Sequence, residues 1–312
     1  MTTAILRPDA DGVAQAARLL AAGEVVAIPT ETVYGLAGDA RNAAAVARIY
    51  EAKGRPDFNP LIVHVGDTSA AEAIAVFDDA ARQVAQALWP GPLTLVLPLR
   101  PGAGIASLVT AGLDSVAVRV PAHPAARAIL RAFGGPLAVP SANVSGRISP
   151  TTAAHVLDPD GGLDGRIAAV VDAGPCEVGL ESTILGWRNG RATLLRPGGV
   201  PVDRIEALIG PVDRGTDLAA PDAPGQLTSH YAPRASLRLN AETPRPGETF
   251  IAFGPGDLTL SPGADLAEAA ARLFDVLRQA DRLDRPIAVA PIPDTGLGLA
   301  INDRLRRAAA PR

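Results

Sequence analysis

Lysine is almost missing from this chain: its 312 residues hold one, Lys53, against 28 arginines. Arginine is a planar fork, whereas lysine is a compact point charge on a flexible stem. A lone lysine in an arginine-biased chain is either a chance survivor or the mark of a place where a fork does not fit. Cysteine is as scarce. Cys176 alone excludes an intrachain disulfide and a Cys-x-x-Cys metal or redox motif, which suits a reducing compartment. The four histidines, His64, His123, His155 and His230, lack metal-ligand spacing, so no protein-held metal is expected. A net charge of −4 with interspersed signs argues against a general basic surface for nucleic acid. No apolar run approaches the roughly 18 residues of a bilayer span. The opening MTTAILRPDADG has no charged segment leading into an apolar core. The expectation is a soluble, unexported, cytoplasmic protein without a membrane partner.

Familiar chemistry is missing too. There is no Gly-x-x-x-x-Gly-Lys-Ser/Thr loop, no Gly-x-Gly-x-x-Gly after a strand and no kinase signature set. No serine sits in a Gly-x-Ser-x-Gly elbow, and Cys176 has no adjacent base. Covalent nucleophilic catalysis is therefore unsupported, which leaves positioning and charge neutralisation, the means of phosphoryl and nucleotidyl transfer.

What is present alternates short apolar runs with amphipathic stretches, the pattern of an α/β protein. The length suggests two domains: residues 1–209, a linker over 210–234 rich in Pro, Gly, Asp and Ala, and a small α/β module over 235–312. Strands are expected over 24–29, 61–65, 93–97, 115–120, 137–140 and 168–172. Helices are expected over 12–22, closed by Gly23, and 42–53, closed by Gly54. Asn189-Gly190 signals a hairpin between 182–187 and 191–195. In the last module the order is strand 250–253, helix 266–280, strand 287–290 and helix 299–309.

Polar clusters interrupt these apolar runs where strands end, which is where ligand groups gather in α/β folds. They are Thr30 to Gly35, Lys53-Gly54-Arg55 through Asn59-Pro60, Arg119, Ser141-Ala142-Asn143 with Ser145, Ser149 and Thr151, and Glu181-Ser182-Thr183 with Arg196. Glycine at 54 lets the backbone turn so that Lys53 and Arg55 can face one polyanion; two solvated charges at a helix C-terminus are the plainer reading. His64 sits inside a strand, as core histidines usually do. In the linker, His230-Tyr231-Ala232-Pro233 carries more chemistry than a spacer needs, unless it is a local anchor.

Taken together, Pro29-Thr30-Glu31-Thr32-Val33-Tyr34-Gly35-Leu36, Lys53-x-Arg55, Ser141-x-Asn143, Glu181-Ser182-Thr183-Ile184 and Arg196-Pro197-Gly198 resemble the YrdC-type threonylcarbamoyl-AMP synthases. His230-Tyr231-Ala232-Pro233 and the segment 296–305 resemble the long, two-domain form. The resemblance implies a twisted sheet domain with a large concave cavity, a linker, and a small Rossmann-like domain. It implies formation of L-threonylcarbamoyladenylate and pyrophosphate from ATP, L-threonine and bicarbonate. A downstream tRNA threonylcarbamoyl transferase would use the product to modify the adenosine next to the anticodon, with at most weak tRNA contact by this chain.

By the same resemblance, Lys53 and Arg55 are the catalytic pair holding ATP phosphates. Asn59, Ser115, Ser141, Asn143, Ser149 and Arg196 complete the nucleotide site, and Tyr231 reaches back over the cavity to enclose ATP. Thr32, His64, Arg119 and Ser182 surround threonine, with Arg119 as the fork for its carboxylate. Mg²⁺ accompanies ATP and bridges phosphate oxygens. Two other readings stay open on sequence: a protein that holds structured RNA in the same concavity, and a carbamoyl-adenylate enzyme with another acceptor, as in hydrogenase maturation.

Overall fold

The computed structural model describes residues 2–56, 59–214 and 229–311. In chain order the first part comprises β1 (Ala4–Leu6), α1 (Ala10–Ala21), β2 (Val26–Ile28), β3 (Gly35–Asp39), α2 (Ala43–Lys53), β4 (Ile62–His64), α3 (Thr68–Glu72), α4 (Asp79–Leu88) and β5 (Leu93–Pro98). It continues with α5 (Ser107–Thr110), β6 (Ser115–Arg119), α6 (Pro124–Phe133), β7 (Leu137–Ala138), α7 (Ala153–Val156), β8 (Ala169–Val171), β9 (Thr183–Arg188), β10 (Arg191–Arg196), α8 (Val202–Ile209) and β11 (Asp213–Arg214). Its strands form one mixed sheet in the order β1-β8-β2-β3-β7-β4-β6-β5-β9-β10-β11.

The expected α/β class holds, and most of the expected elements lie where the pattern put them. Helix α2 shows why. Asn42 caps it by accepting from the amides of Ala44 and Ala45, and Gly54 ends it at φ 55° in the left-handed region, so Lys53 is its last residue. The pattern did not reveal β3, whose Gly-Leu-Ala-Gly-Asp has neither alternation nor β-branched residues. It pairs with both β2 and β7 and is almost wholly buried, so tertiary pairing overrides a weak local preference. The first sheet also runs past the boundary expected at 209, because Asp213 and Arg214 pair with Thr193 and Leu194. Of the expected linker, residues 215–228 lie outside the described residues.

The second part comprises β12 (Leu237–Arg238), β13 (Thr249–Ile251), α9 (Leu266–Asp281), β14 (Ile287–Val289) and α10 (Gly298–Ala309). Its strands lie parallel in the order β12-β14-β13, a small Rossmann-like layer backed by α9 and α10.

Two faces of the large sheet do different work. Val63, Val118, Leu95 and Leu185 point into the main core with α2 and α4. On the opposite face Ile62, Ala117, Ile184 and Leu195 form a small apolar floor, and His64 and Arg119 continue it because side chains two apart share a face.

The small domain closes over that side of the molecule. Val33, Ile148 and Leu180, one from each of three polar loops, share an apolar cluster with Leu273, Phe274 and Leu277 of α9. Gly179 makes the approach feasible: it has φ +69°, and a Cβ there would lie 2.5 Å from the Cα of Ala271. Polar ties reinforce the contact. Asp158 pairs with Arg278 at 3.5 Å and Arg282 at 2.9 Å, and His155 Nε2 lies 3.3 Å from Asp275.

Candidate active site

Over the floor of the sheet lies a cavity whose walls are strand ends and loops: Thr30 to Gly35, Arg55, Pro60 to Ile62, His64, Arg119, Val139 to Ser141, Glu181-Ser182 and Arg196. His230 and Tyr231 form its roof. These two residues narrow the concavity expected from sequence. The free space beneath the roof is ≈ 50 Å³, room for a few waters at about 10–15 Å³ each.

At one end Arg119 dominates. Its Nη2 donates to Glu31 Oε1 at 2.6 Å, its Nη1 to Thr32 Oγ1 at 2.9 Å and its Nε to the Gly91 carbonyl at 3.3 Å. These use three of the five N–H groups of a guanidinium. Burial alone would raise the Glu31 pKa, but Arg119 and a backbone amide from Ala122 outweigh it and hold the carboxylate below its ordinary range. His64, opposite Arg119 in the strand register, is held neutral by burial and by that same cation. Ser182 shares a hydrogen bond of 2.7 Å with Thr94 and accepts from Arg196 at 3.2 Å. The structure thus brings Thr32, His64, Arg119 and Ser182 together.

At the other end cations gather. Arg55 donates to the carbonyls of Asn59 at 3.3 Å and Pro60 at 3.0 Å, and burial, with Arg196 nearby, pushes its pKa down to about 10. Arg196 donates to the Ser182 carbonyl at 2.8 Å. No carboxylate among the described residues pairs with Lys53 or Arg55. His230 reports the field: burial, then Arg55, Lys53, Arg196 and Arg304, hold it neutral, its pKa well below the ordinary 6.5.

Lys53 departs from expectation. It does not line the cavity; its ammonium, 1% exposed, donates to the carbonyls of Ser141 at 2.5 Å and Asn143 at 2.6 Å. It tethers the end of α2 to the Ser141-x-Asn143 turn, and burial and then Arg55 drive its pKa well below the usual lysine value. The long-range carbonyls, 88 and 90 residues away in sequence, decide its direction.

Of the remaining candidates, Arg55, Ser141, Arg196 and Tyr231 line the cavity. Asn59, Asn143 and Ser149 stand buried behind that lining. Ser115 is not brought in. It pairs with Pro98 at the other end of β6, four residues and about 13 Å of strand from Arg119. Buried polar atoms are almost always paired. Yet both amide atoms of Asn59, Oδ1 of Asn143 and Nδ1 of His230 have no partner among the described residues. Their concentration at this end marks a place where a polar ligand would complete the hydrogen bonding.

Two carboxylates that organise the site were not assigned roles from sequence. Glu31 compensates Arg119, and Glu181 accepts from Ser149 Oγ at 2.5 Å and from Arg304 Nε at 3.0 Å. Burial would raise the Glu181 pKa, but Arg304, Arg196 and Ser149 hold it low. The available signal was a single carboxylate within each of two short polar clusters. The roof is set by contacts with the small domain: the Tyr231 ring stacks on Phe274 at 5.5 Å, and the His230 amide donates to the Arg307 carbonyl at 3.2 Å. Tyr231 has φ 62°, a strained value for a residue with a side chain.

Among the described residues no helix is long and apolar enough to cross a membrane, and no group of three His, Cys, Asp or Glu could hold a metal ion. Cys176 is buried, its thiol pushed up to about 12 mainly by burial.

Known proteins resemble this chain in sequence and in fold. The family model for Sua5, YciO and YrdC, described as telomere recombination, matches residues 18–198. The model described as the C-terminal domain of threonylcarbamoyl-AMP synthase matches residues 200–310. The threonylcarbamoyl-AMP synthase of Bacillus subtilis is 45% identical over 96% of this chain and 93% of its own. That of Pyrococcus abyssi is 38% identical over 95% of this chain and 94% of its own. The crystal structure of P. abyssi Sua5 complexed with L-threonine superposes with a TM-score of 0.90 at 36% identity, covering 99% of this chain and 98% of that one. Sequence, domain order and fold agree over nearly the whole length, and the chain belongs to the threonylcarbamoyl-AMP synthase family, nucleotidyltransferase-type enzymes, in its two-domain form.

Proposed function

We propose that this enzyme condenses ATP, L-threonine and bicarbonate into L-threonylcarbamoyladenylate and pyrophosphate, in the cytoplasm, for a transferase that modifies the adenosine next to the anticodon of tRNA. The observation that carries the reading is the unequal ends of one cavity. Arg119 is balanced by buried Glu31, while Lys53 and Arg55 have no carboxylate partner among the described residues. A compensated cation suits an amino acid, which brings as much positive charge as negative. Two cations without a carboxylate partner suit a triphosphate.

In this mechanism the two free N–H groups of Arg119 take the threonine carboxylate, and Thr32, His64 and Ser182 surround the rest of the amino acid. The deprotonated amine adds to bicarbonate, and loss of water leaves a carbamate. A carbamate oxygen then bonds to the α-phosphorus as the bond to the β-phosphate oxygen breaks, and pyrophosphate departs. Two anions must approach one another, so Arg55 and Arg196 act by neutralising charge in a water-poor space. Lys53 contributes at one remove, by fixing the Ser141-x-Asn143 turn, while Asn59, Asn143 and Ser149, behind the lining, would reach the nucleotide only as the roof rearranges around it. Without a carboxylate cage in the described residues, Mg²⁺ fits as the counterion that arrives on ATP phosphates and further offsets their charge. ATP is far larger than the present free space, so the Tyr231 roof must lift to admit it and close again to keep water from a labile mixed anhydride.

The test is pyrophosphate release by the full chain with ATP, Mg²⁺ and bicarbonate, with and without L-threonine, alongside mass detection of the adenylate. Release that needs threonine and bicarbonate together is the expected result. Threonine-independent release, or none from folded protein, removes the reading.

A further inference from the structure

The last helix of the small domain sends one arginine across the domain boundary into the wall of the cavity. Arg304 is 0% exposed. Its Nε donates to Glu181 Oε2 at 3.0 Å, and its Nη1 donates to the Pro197 carbonyl at 2.5 Å and to Asp303 Oδ2 at 3.0 Å. Its guanidinium carbon lies 5.5 Å from the centre of the Tyr231 ring. Three of these contacts belong to the nucleotide end: Glu181 also holds Ser149, Pro197 follows Arg196, and Tyr231 is the roof.

Docking alone does not explain such a residue. Burying a guanidinium carries a large desolvation penalty, and well-packed apolar side chains join surfaces at least as well. The boundary already has an apolar cluster and the Asp158 ion pairs. Arginine is distinguished by its fork, which can hold a carboxylate and a carbonyl in fixed relation while its face meets an aromatic ring.

We propose that Arg304 is a positioning residue for the nucleotide half of the site. It acts through Glu181, whose other oxygen sets the Ser149 hydroxyl, and through Tyr231, whose ring closes against its cationic face. The small domain is thereby a working part of the ATP site. This inference rests on the functional reading above.

The experiment compares full-length wild type with Arg304→Met, Arg304→Lys, Glu181→Gln and the Arg304→Met/Glu181→Gln double variant. It reads kcat, KM for each substrate, ATP affinity by calorimetry, and thermal midpoint. Arg304→Met is expected to weaken ATP binding about tenfold while KM for threonine stays within about twofold. The double variant is expected to be little worse than either single one, since residues in one network are non-additive. Arg304→Lys, which keeps the charge but cannot bridge Glu181 and Pro197 together, should fall between. Unchanged ATP affinity in folded Arg304→Met overturns the proposal, as do additive effects or losses in both substrates that simply follow a lower midpoint. If Arg304→Met does not fold, Arg304→Lys decides by the same split. Calorimetry tests Arg304 even where wild type releases no threonine-dependent pyrophosphate, the outcome that would instead remove the functional reading.

Discussion

The two ends of the cavity solve the problem of a buried cation in opposite ways. At one end Arg119 is matched by Glu31 at 2.6 Å, so the charges already balance without a ligand. At the other, Arg55 and Lys53 donate to backbone carbonyls and have no carboxylate partner among the described residues, and burial together with their field keeps His230 neutral. The difference teaches that a site for two substrates can be tuned by where it places its carboxylates as much as by where it places its cations. On the proposed reading, the balanced end is built into the stability of the fold, and the other end is completed by the nucleotide.

Glu31→Gln puts the largest strain on this contrast. It leaves Arg119 buried without its counter-charge, and breaking a buried pair from one side costs about 4 kcal/mol. Denaturant unfolding should show a loss of that order, and a loss below about 1 kcal/mol would mean that Arg119 is not balanced by Glu31 in the way described. Arg55→Met is the converse change. Removing a cation that has no carboxylate partner should leave the thermal midpoint of the free protein within about 3 °C, a difference of roughly 1 kcal/mol. ATP affinity should nevertheless fall about hundredfold, as expected for lost charge-assisted hydrogen bonds. A large drop in midpoint, with ATP affinity intact, would make Arg55 a structural residue.

The smallest expected effect concerns acidity. His230 has its pKa depressed beneath the roof, so it binds a proton more readily when the roof is lifted and exposed to water. Closure is therefore fully favoured above about pH 6.5 and weakens as pH falls from there towards the depressed value. If the exposed ring titrates near 6.5, closure should weaken about fourfold at pH 6. KM for ATP should rise accordingly, and His230→Asn should lose that part of the profile. An unaltered profile in His230→Asn would assign the acid limb to another group, such as His64.

Much of this was legible in the sequence where local chemistry decides the outcome. Asn42 and Gly54 announce the ends of α2, and Asn189-Gly190 announces the turn between β9 and β10. Short polar runs at strand ends located the cavity, since four of its candidates meet around Arg119 and four more line its other end. What escaped depends on distant partners. The reach of Lys53 into the Ser141-x-Asn143 turn, and the pairing of Arg119 with a glutamate 88 residues earlier, follow from strand order and leave no mark on spacing. Strand β3 escaped for the same reason, being held by its neighbours more than by its own composition. Ser115 shows the converse error: its segment does form a strand, and the strand carries it away from the cavity.

The three apolar anchors that seat α9, Val33, Ile148 and Leu180, bear on how such a protein can be inherited. Each belongs to a loop that also supplies chemistry, so a change in the helix surface is felt by all three loops at once. Recombination that exchanged only the last hundred residues with a distant relative would break that fit, even if both halves came from working enzymes. A viable chimaera would have to transfer the helix together with its three anchoring loops.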